Sequence, residues 1–185
     1  MVSLGWLSYS YQIMMNRIDH EKFMQAALDV AQAGLAAGEL PIGAVVVLDG
    51  QIIAAAHTAE RTEKRLLVHA ELLALQEADQ LQPFPGRRRD VLLYTTCEPC
   101  LMCMGAAMSF FLGTVVYAVE APSDGATTLV QAWQRNAAAF PAYQLPTIIG
   151  GILRTEAIAL FQRYVASHRP GGGFYDWAKA MAALT

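Results

Sequence analysis

Residues 91–119 read VLLYTTCEPCLMCMGAAMSFFLGTVVYAV, and this stretch decides the fold. VLLYTT is a short buried strand. The chain turns helical directly beyond Pro99, a residue favoured at helix starts, and Gly113 closes that helix before a second strand, TVVYAV. Towards the C-terminus, APSDGATT is a loop, LVQAWQRNAAAF has helical composition, TIIGGIL is a strand, and TEAIALFQRYVASH is a helix with Glu156 in its first turn. A strand, a helical crossover and another strand return the chain to the same end of a sheet, so the last two strands are expected to pair in parallel. RPGGG is a flexible joint before a final segment, FYDWAKAMAALT.

Towards the N-terminus, QPFPGRRRD reads as a surface connection, HAELLALQEADQL as a helix, and Thr58 to about Arg65 as a polar loop. Pro41 opens the β-rich run IGAVVVL, and Asp49-Gly50 is a two-residue turn signal before QIIAAAH, so residues 42–57 form a hairpin. Asp19 can cap a helix in which Met24, Ala27, Leu28, Ala31 and Leu35 recur at intervals of three and four until Gly38. The expected class is α/β, with one mixed sheet of about five strands between helices in a three-layer α/β/α arrangement.

The chain has 185 residues, which at roughly 150 per domain predicts one compact unit. It is 55% hydrophobic and 16% charged, so it can build a core, and a disordered or collagen-like chain is excluded. Thirteen Lys and Arg against sixteen Asp and Glu leave a formal charge of −3, which offers no broad basic footprint for nucleic acid. Such binding would rest on a local patch like Arg87, Arg88 and Arg89, which otherwise reads as a solvated loop. No apolar run approaches the roughly 18 residues that cross a bilayer, so no membrane association is expected. Residues 1–18 read as an N-terminal extension without a secretion signal, and Met14 or Met15 is a plausible translation start. Three cysteines without such a signal suggest a reducing, cytoplasmic compartment.

Two motifs at the starts of consecutive helices carry the chemistry: His69-Ala70-Glu71 and Cys97-Glu98-Pro99-Cys100-Leu101-Met102-Cys103. Residues two apart on a helix face nearly opposite ways, so His69 and Glu71 share a site only beyond the helix end. Cys100 and Cys103, three apart, let two thiolates on one turn grip one ion, and the positive end of the helix dipole favours their ionised form. One nitrogen and two sulfurs leave the fourth tetrahedral position of Zn²⁺ open, the mark of a catalytic site. A neutral His69, two thiolates and Zn²⁺ sum to zero charge, which softens the metal as a Lewis acid and makes a nearby base such as Glu71 valuable. A redox C-x-x-C pair, a closed site completed by Cys97, and an iron–sulfur cluster are the other readings of these cysteines. His20 and His168 read as surface residues, and His57 is divided between packing and the pocket.

His69-Ala70-Glu71 followed by Pro99-Cys100-x-x-Cys103 resembles the H-x-E…P-C-x-x-C signature of the zinc-dependent cytidine/deoxycytidylate deaminase superfamily. The order of elements over about residues 19–167 is similar too, so the resemblance implies a cytidine-deaminase-like fold. It further implies a deaminase domain over 19–169 with a C-terminal aromatic capping segment over 170–185. By the same resemblance His69, Cys100 and Cys103 hold zinc, Glu71 shuttles protons, and the backbone at Ala70 touches the base. The implied reaction is hydrolytic: water adds to the ring carbon bearing an exocyclic amine, Glu71 protonates the adjacent ring nitrogen, and ammonia leaves a carbonyl behind.

The parallel last strand is similar to the branch holding tRNA adenosine deaminases, guanine deaminases and fungal-type cytosine deaminases. LPIGAVVV and GGIL resemble the first, LYTTCEPCLMC the second, and RPGGGFYDW the aromatic cap of the third. The acidic balance favours a small amino-purine or amino-pyrimidine, as free base or nucleoside, with a tRNA adenosine as the alternative and a catalytically silent zinc module as the third reading. Relatives commonly place a substrate-binding Asn where this chain has Thr58, beside His57, and a hydroxyl has a shorter reach than an amide. Phe174 and Trp177 are expected to close over the pocket, and a homodimer is expected through the Cys100 helix with its small Gly105, Ala106 and Ala107.

Overall fold

The computed structural model describes residues 19–81, 86, 88–132 and 144–185. The N-terminal extension, Arg87 and the greater part of the helical run 129–140 lie outside the described residues.

Helix α1 (His20–Ala36) starts where expected, with Asp19 accepting a hydrogen bond from the Lys22 amide at 3.1 Å. The hairpin follows as β1 (Gly43–Leu48) and β2 (Gln51–His57), turned through Asp49 and Gly50 at φ 52° and 73°. Two successive positive φ values match the right-handed twist of the strands they join. The loop after it contains a single helical turn, α2 (Glu60–Glu63), before α3 (Ala70–Leu81). Then come β3 (Leu92–Cys97), α4 (Leu101–Ser109), β4 (Thr114–Val119), α5 (Thr127–Ala132), β5 (Thr147–Ile149), α6 (Arg154–Ser167) and α7 (Gly173–Ala182).

The five strands form one mixed sheet in the order β2-β1-β3-β4-β5. β1 is antiparallel to β2 and β3, whereas β3 and β4, and β4 and β5, are parallel. Period-two alternation divides the core into two layers. Val45, Val47, Tyr94, Val116 and Ala118 face α1, α6 and α7, while Ala44, Val46, Leu93 and Val115 face α3 and α4. Gly43 lets β1 pass against α1, because a Cβ there would lie 2.4 Å from the Ala27 carbonyl oxygen.

Several local expectations are corrected. β5 stops at Ile149 rather than running through TIIGGIL: a Cβ on Gly150 would overlap the Tyr117 ring, and Gly151 and Leu153 turn the chain at φ 88° and 53°. α4 ends at Ser109 with Phe110 as its C-cap, and Phe111, at φ 60°, turns the chain two residues before Gly113. Arg88 is buried, 2.8 Å from Asp79 and 4.5 Å over the Phe110 ring, while Arg89 lies over Phe111. Arg88 thereby pins the connection to the α3–α4 layer, whereas Arg89 stays exposed. His20 is not a free surface residue either, since its Nδ1 is 2.9 Å from the Tyr94 hydroxyl.

Candidate active site

α3 and α4 both begin beside the carboxyl end of β3, where open α/β sheets bind their ligands. His69 immediately precedes α3, and Cys100 is the extended N-cap of α4 at φ −69°, ψ 172°. His69 Nδ1 consequently lies 3.6 Å from both Cys100 Sγ and Cys103 Sγ. All three donor atoms fall within 4.8 Å of one another. A tetrahedral zinc at about 2.0–2.1 Å from nitrogen and about 2.3 Å from sulfur requires an N···S separation of roughly 3.6 Å. The donor set fits zinc in both chemistry and spacing. Cys97 borders the same small cavity but is not one of the clustered donors, and burial pushes its thiol well up, so the geometry does not supply a fourth protein ligand.

Without a metal, the three side chains perturb one another in opposite senses. The Cys100 thiol is held at about 4, first by its hydrogen bond with Cys103 and then by His69, against the opposing effect of burial. Cys103 is correspondingly pushed up by the same hydrogen bond and by burial. His69 is raised to about 10 by Cys100 and then by Glu60, whose Oε1 sits 3.5 Å from His69 Nε2. Glu60 therefore occupies the position of an outer carboxylate that orients a ligating imidazole.

Glu71 is buried at the start of α3. Thr95 of β3 donates to its Oε1 at 3.2 Å, and Cys103 Sγ donates to its Oε2 at 3.6 Å. Burial, the largest influence, raises its carboxyl above the ordinary range. A cavity of about 30 Å³, close to the volume of one water, is lined by Thr58, His69, Ala70, Glu71, Cys100 and Trp177 among others. Beside it opens a larger one of about 410 Å³ bounded by Leu40, Ile42, Glu60, His69, Asp124, Phe174 and Trp177.

Phe174 and Trp177 of the last segment thus border the cavity from within the same chain. Trp177 packs edge-on against Phe161 at 5.5 Å and donates its indole N–H to Asp124 at 3.0 Å or Ser123 at 3.1 Å. Thr58 reaches the smaller cavity, but its single hydroxyl proton is directed to Glu60 at 3.0 Å or the Val68 carbonyl at 3.3 Å. His57 lines neither cavity. Its ring packs on Gly34 of α1, and Nδ1 is 2.7 Å from the Thr58 carbonyl oxygen.

Four acidic residues the motifs did not single out shape the site. Beyond Glu60 and Asp124, Glu98 accepts from the Ala121 and Thr127 amides at 3.0 and 2.9 Å and from the Thr127 hydroxyl, fixing the loop that carries Asp124. Glu39, fully buried, accepts from the Arg61 and Thr62 amides and the Thr62 hydroxyl, which fixes α2 and hence Glu60. These partners lie 22 to 29 residues apart in sequence, beyond the reach of motif spacing.

A mixed sheet with an open three-donor metal site at two helix N-termini, and a buried carboxylate beside it, defines a metal-dependent hydrolase. Residues 17–119 match the family described as the cytidine and deoxycytidylate deaminase zinc-binding region, and the chain belongs to that family. It is 36% identical over 137 residues to the tRNA-specific adenosine deaminase of Bacillus subtilis (strain 168), covering 74% of this chain and 82% of that one. Among solved structures it is similar to one from a study of A-to-I editing by tRNA:A34 deaminases, at 29% identity and TM-score 0.63, covering 75% of this chain and 98% of that chain. It is also similar to guanine deaminase from Bacillus subtilis, at 28% identity and TM-score 0.53, covering 85% and 99%. The chain is a hydrolytic deaminase, a hydrolase of C–N bonds, and zinc is its cofactor. Among the described residues, no helix is long and apolar enough to cross a membrane.

Proposed function

We propose that His69, Cys100 and Cys103 hold the zinc, and that Glu71 moves protons in the deamination of an amino-substituted purine or pyrimidine presented as a free base or nucleoside. Bound there, zinc supplies the Lewis acidity that lets water be deprotonated near neutral pH. Glu71 takes that proton and delivers it to the ring nitrogen beside the reacting carbon, then takes the proton of the newly added hydroxyl and passes it to the departing amine. Ammonia leaves and a ring carbonyl remains. The observation that carries this reading is the Glu71 carboxylate, fixed by Thr95, 3.6 Å from Cys103 Sγ and lining the same cavity as His69 and Cys100. Ala70 and Thr58 border that cavity, and Phe174 with Trp177 shields the substrate from bulk water.

A second reading, deamination of an adenosine within tRNA, is favoured by the identity to the Bacillus subtilis tRNA-specific adenosine deaminase. Ammonia release from a panel of bases, nucleosides and an anticodon stem-loop separates the two. Turnover of small substrates supports the first reading, and turnover of the stem-loop alone replaces it with the second. Release from neither overturns both.

The division into a deaminase domain over 19–169 and a capping segment over 170–185 is supported by α7 beginning at Gly173 after a glycine joint. A homodimer formed through α4 is supported by the open space above Gly105, although Ala107, also expected there, is buried in the chain's own core. Three free cysteines fit a cytoplasmic setting.

A further inference from the structure

The two cavities beside the metal site share four bordering residues: Ile42, His69, Asp124 and Trp177. Glu71 lies on the smaller cavity, and the larger has room for a heterocycle. A ring that presents its reacting amine to Glu71 therefore passes between these four side chains. Ile42 is apolar, and His69 belongs to the metal site. Trp177 spends its indole N–H on Asp124 Oδ1 at 3.0 Å or Ser123 Oγ at 3.1 Å. Asp124 is the member of the four with a polar atom to spare.

The backbone of Asp124 is tied to the metal site. Gly125, the next residue, pairs as an isolated bridge with Cys100, and the Ala126 amide donates to the Pro99 carbonyl at 2.9 Å. The Gly125 amide closes a turn on the Ala121 carbonyl at 2.8 Å, where a Cβ on Gly125 would lie 2.3 Å from the Glu98 carboxylate. The side chain is oriented as well. Ser123 Oγ donates to Oδ1 at 3.0 Å, and the indole N–H is aimed at that same oxygen. Among the described residues Oδ2 receives no hydrogen bond.

The polar side chains bordering the larger cavity are Glu60, His69, Asp124 and Trp177, so what they have left to offer a substrate is acceptors. On the smaller cavity Thr58 adds no free donor, because its hydroxyl proton goes to Glu60 or to the Val68 carbonyl. A carboxylate accepts and does not donate. Oδ2 thus favours an N–H on the substrate, and disfavours a carbonyl oxygen or a bare ring nitrogen in the same place.

We propose that Asp124 is a specificity-determining residue, whose Oδ2 accepts a hydrogen bond from a second donor on the substrate ring, so that the preferred heterocycle carries an exocyclic amine or ring N–H besides the amine that is lost. The inference rests on the deaminase reading and narrows its substrate class. It separates rings with two donors from rings with the reacting amine alone.

The test is equilibrium binding to the zinc-loaded full chain carrying Glu71→Gln, which prevents turnover, with three pairs of probes that differ in one donor: 2,6-diaminopurine and adenine, 2,4-diaminopyrimidine and 4-aminopyrimidine, cytosine and 1-methylcytosine. Each pair is measured again with Asp124→Ala, with Asp124→Asn, and with Trp177→Phe, which removes the indole N–H and leaves the carboxylate. In at least one pair the two-donor member is expected to bind about tenfold more tightly. That preference should vanish in Asp124→Ala, shrink in Asp124→Asn, and hold in Trp177→Phe. No preference in any pair, or a preference that survives Asp124→Ala, overturns the proposal. A preference lost equally in Trp177→Phe assigns it to the aromatic cap and overturns the proposal too. Failure of the deaminase reading shows separately, as absence of ammonia release from every probe by the unsubstituted protein, whatever the affinities.

Discussion

Thr58 and Glu60 are joined by a 3.0 Å hydrogen bond in which the threonine hydroxyl donates to Oε2, while Oε1 of the same carboxylate faces His69 Nε2 at 3.5 Å. Thr58 thereby spends its only donor on a residue that braces the metal-site imidazole, and its part at the cavity wall is limited to accepting a hydrogen bond and to shape.

Removing that brace should loosen zinc. Glu60→Ala is expected to weaken zinc retention about 10- to 100-fold in competition with a chelator. Thr58→Val, which deletes the hydroxyl but leaves the carboxylate in place, should weaken it far less. Equal zinc retention in Glu60→Ala and the unsubstituted protein would remove Glu60 from this role.

Glu71→Gln keeps the shape and the Thr95 hydrogen bond but cannot carry a proton. It should retain one zinc per chain and lower the deamination rate by about 10² to 10⁴. Zinc content by atomic absorption and ammonia release on one confirmed substrate together decide it, and residual activity near the unsubstituted level would contradict the assignment.

Cys97 and Cys100 should behave oppositely. Cys97→Ala should leave zinc stoichiometry unchanged and cost about 1 kcal/mol of packing, whereas Cys100→Ser and Cys103→Ser should lose the metal. Metal content of the three purified variants provides the comparison.

Glu98→Ala strands two buried amide donors and a hydroxyl in the loop leading to α5. A loss of about 3 kcal/mol in stability is expected, read as a lower urea midpoint with unchanged slope.

Acid sensitivity has one traceable source in α1. Burial, the larger influence, lowers the His20 pKa in the folded chain, while the neighbouring Asp19 pulls the other way. The unfolded chain therefore takes up this proton first as pH falls below about 6.5, and His20's contribution, intact above that value, is lost as pH drops through the lowered folded pKa. His20→Gln, which keeps a polar group near the Tyr94 hydroxyl, should flatten the thermal-midpoint profile between pH 7 and 5. A profile identical to that of the unsubstituted chain would show that other groups set it.

Elements with strong local signals were legible before any coordinates. The three-and-four periodicity of Met24 to Leu35, the Asp49-Gly50 turn and the parallel crossover all reappear as α1, the β1–β2 hairpin and the β4–β5 pairing. The stretch RRRD was harder to read. Arginine is usually solvated, and the Phe110 ring and Asp79, on two other elements, help draw Arg88 inward. Gly150 likewise ended a strand for a tertiary reason, the Tyr117 ring lying across it.

The sequence by itself determined the metal-ligand chemistry. Cys100-x-x-Cys103 and His69-x-Glu71 are each held within one helical turn, where spacing along the chain is spacing in space. Only the tertiary structure decided that Glu60 backs His69, that Glu98 and Glu39 fix the loops around the cavity, and that Arg61 meets Tyr164 from 103 residues away. Those pairings arise where separate elements pack on a sheet, and no local periodicity records which loop will lie against which.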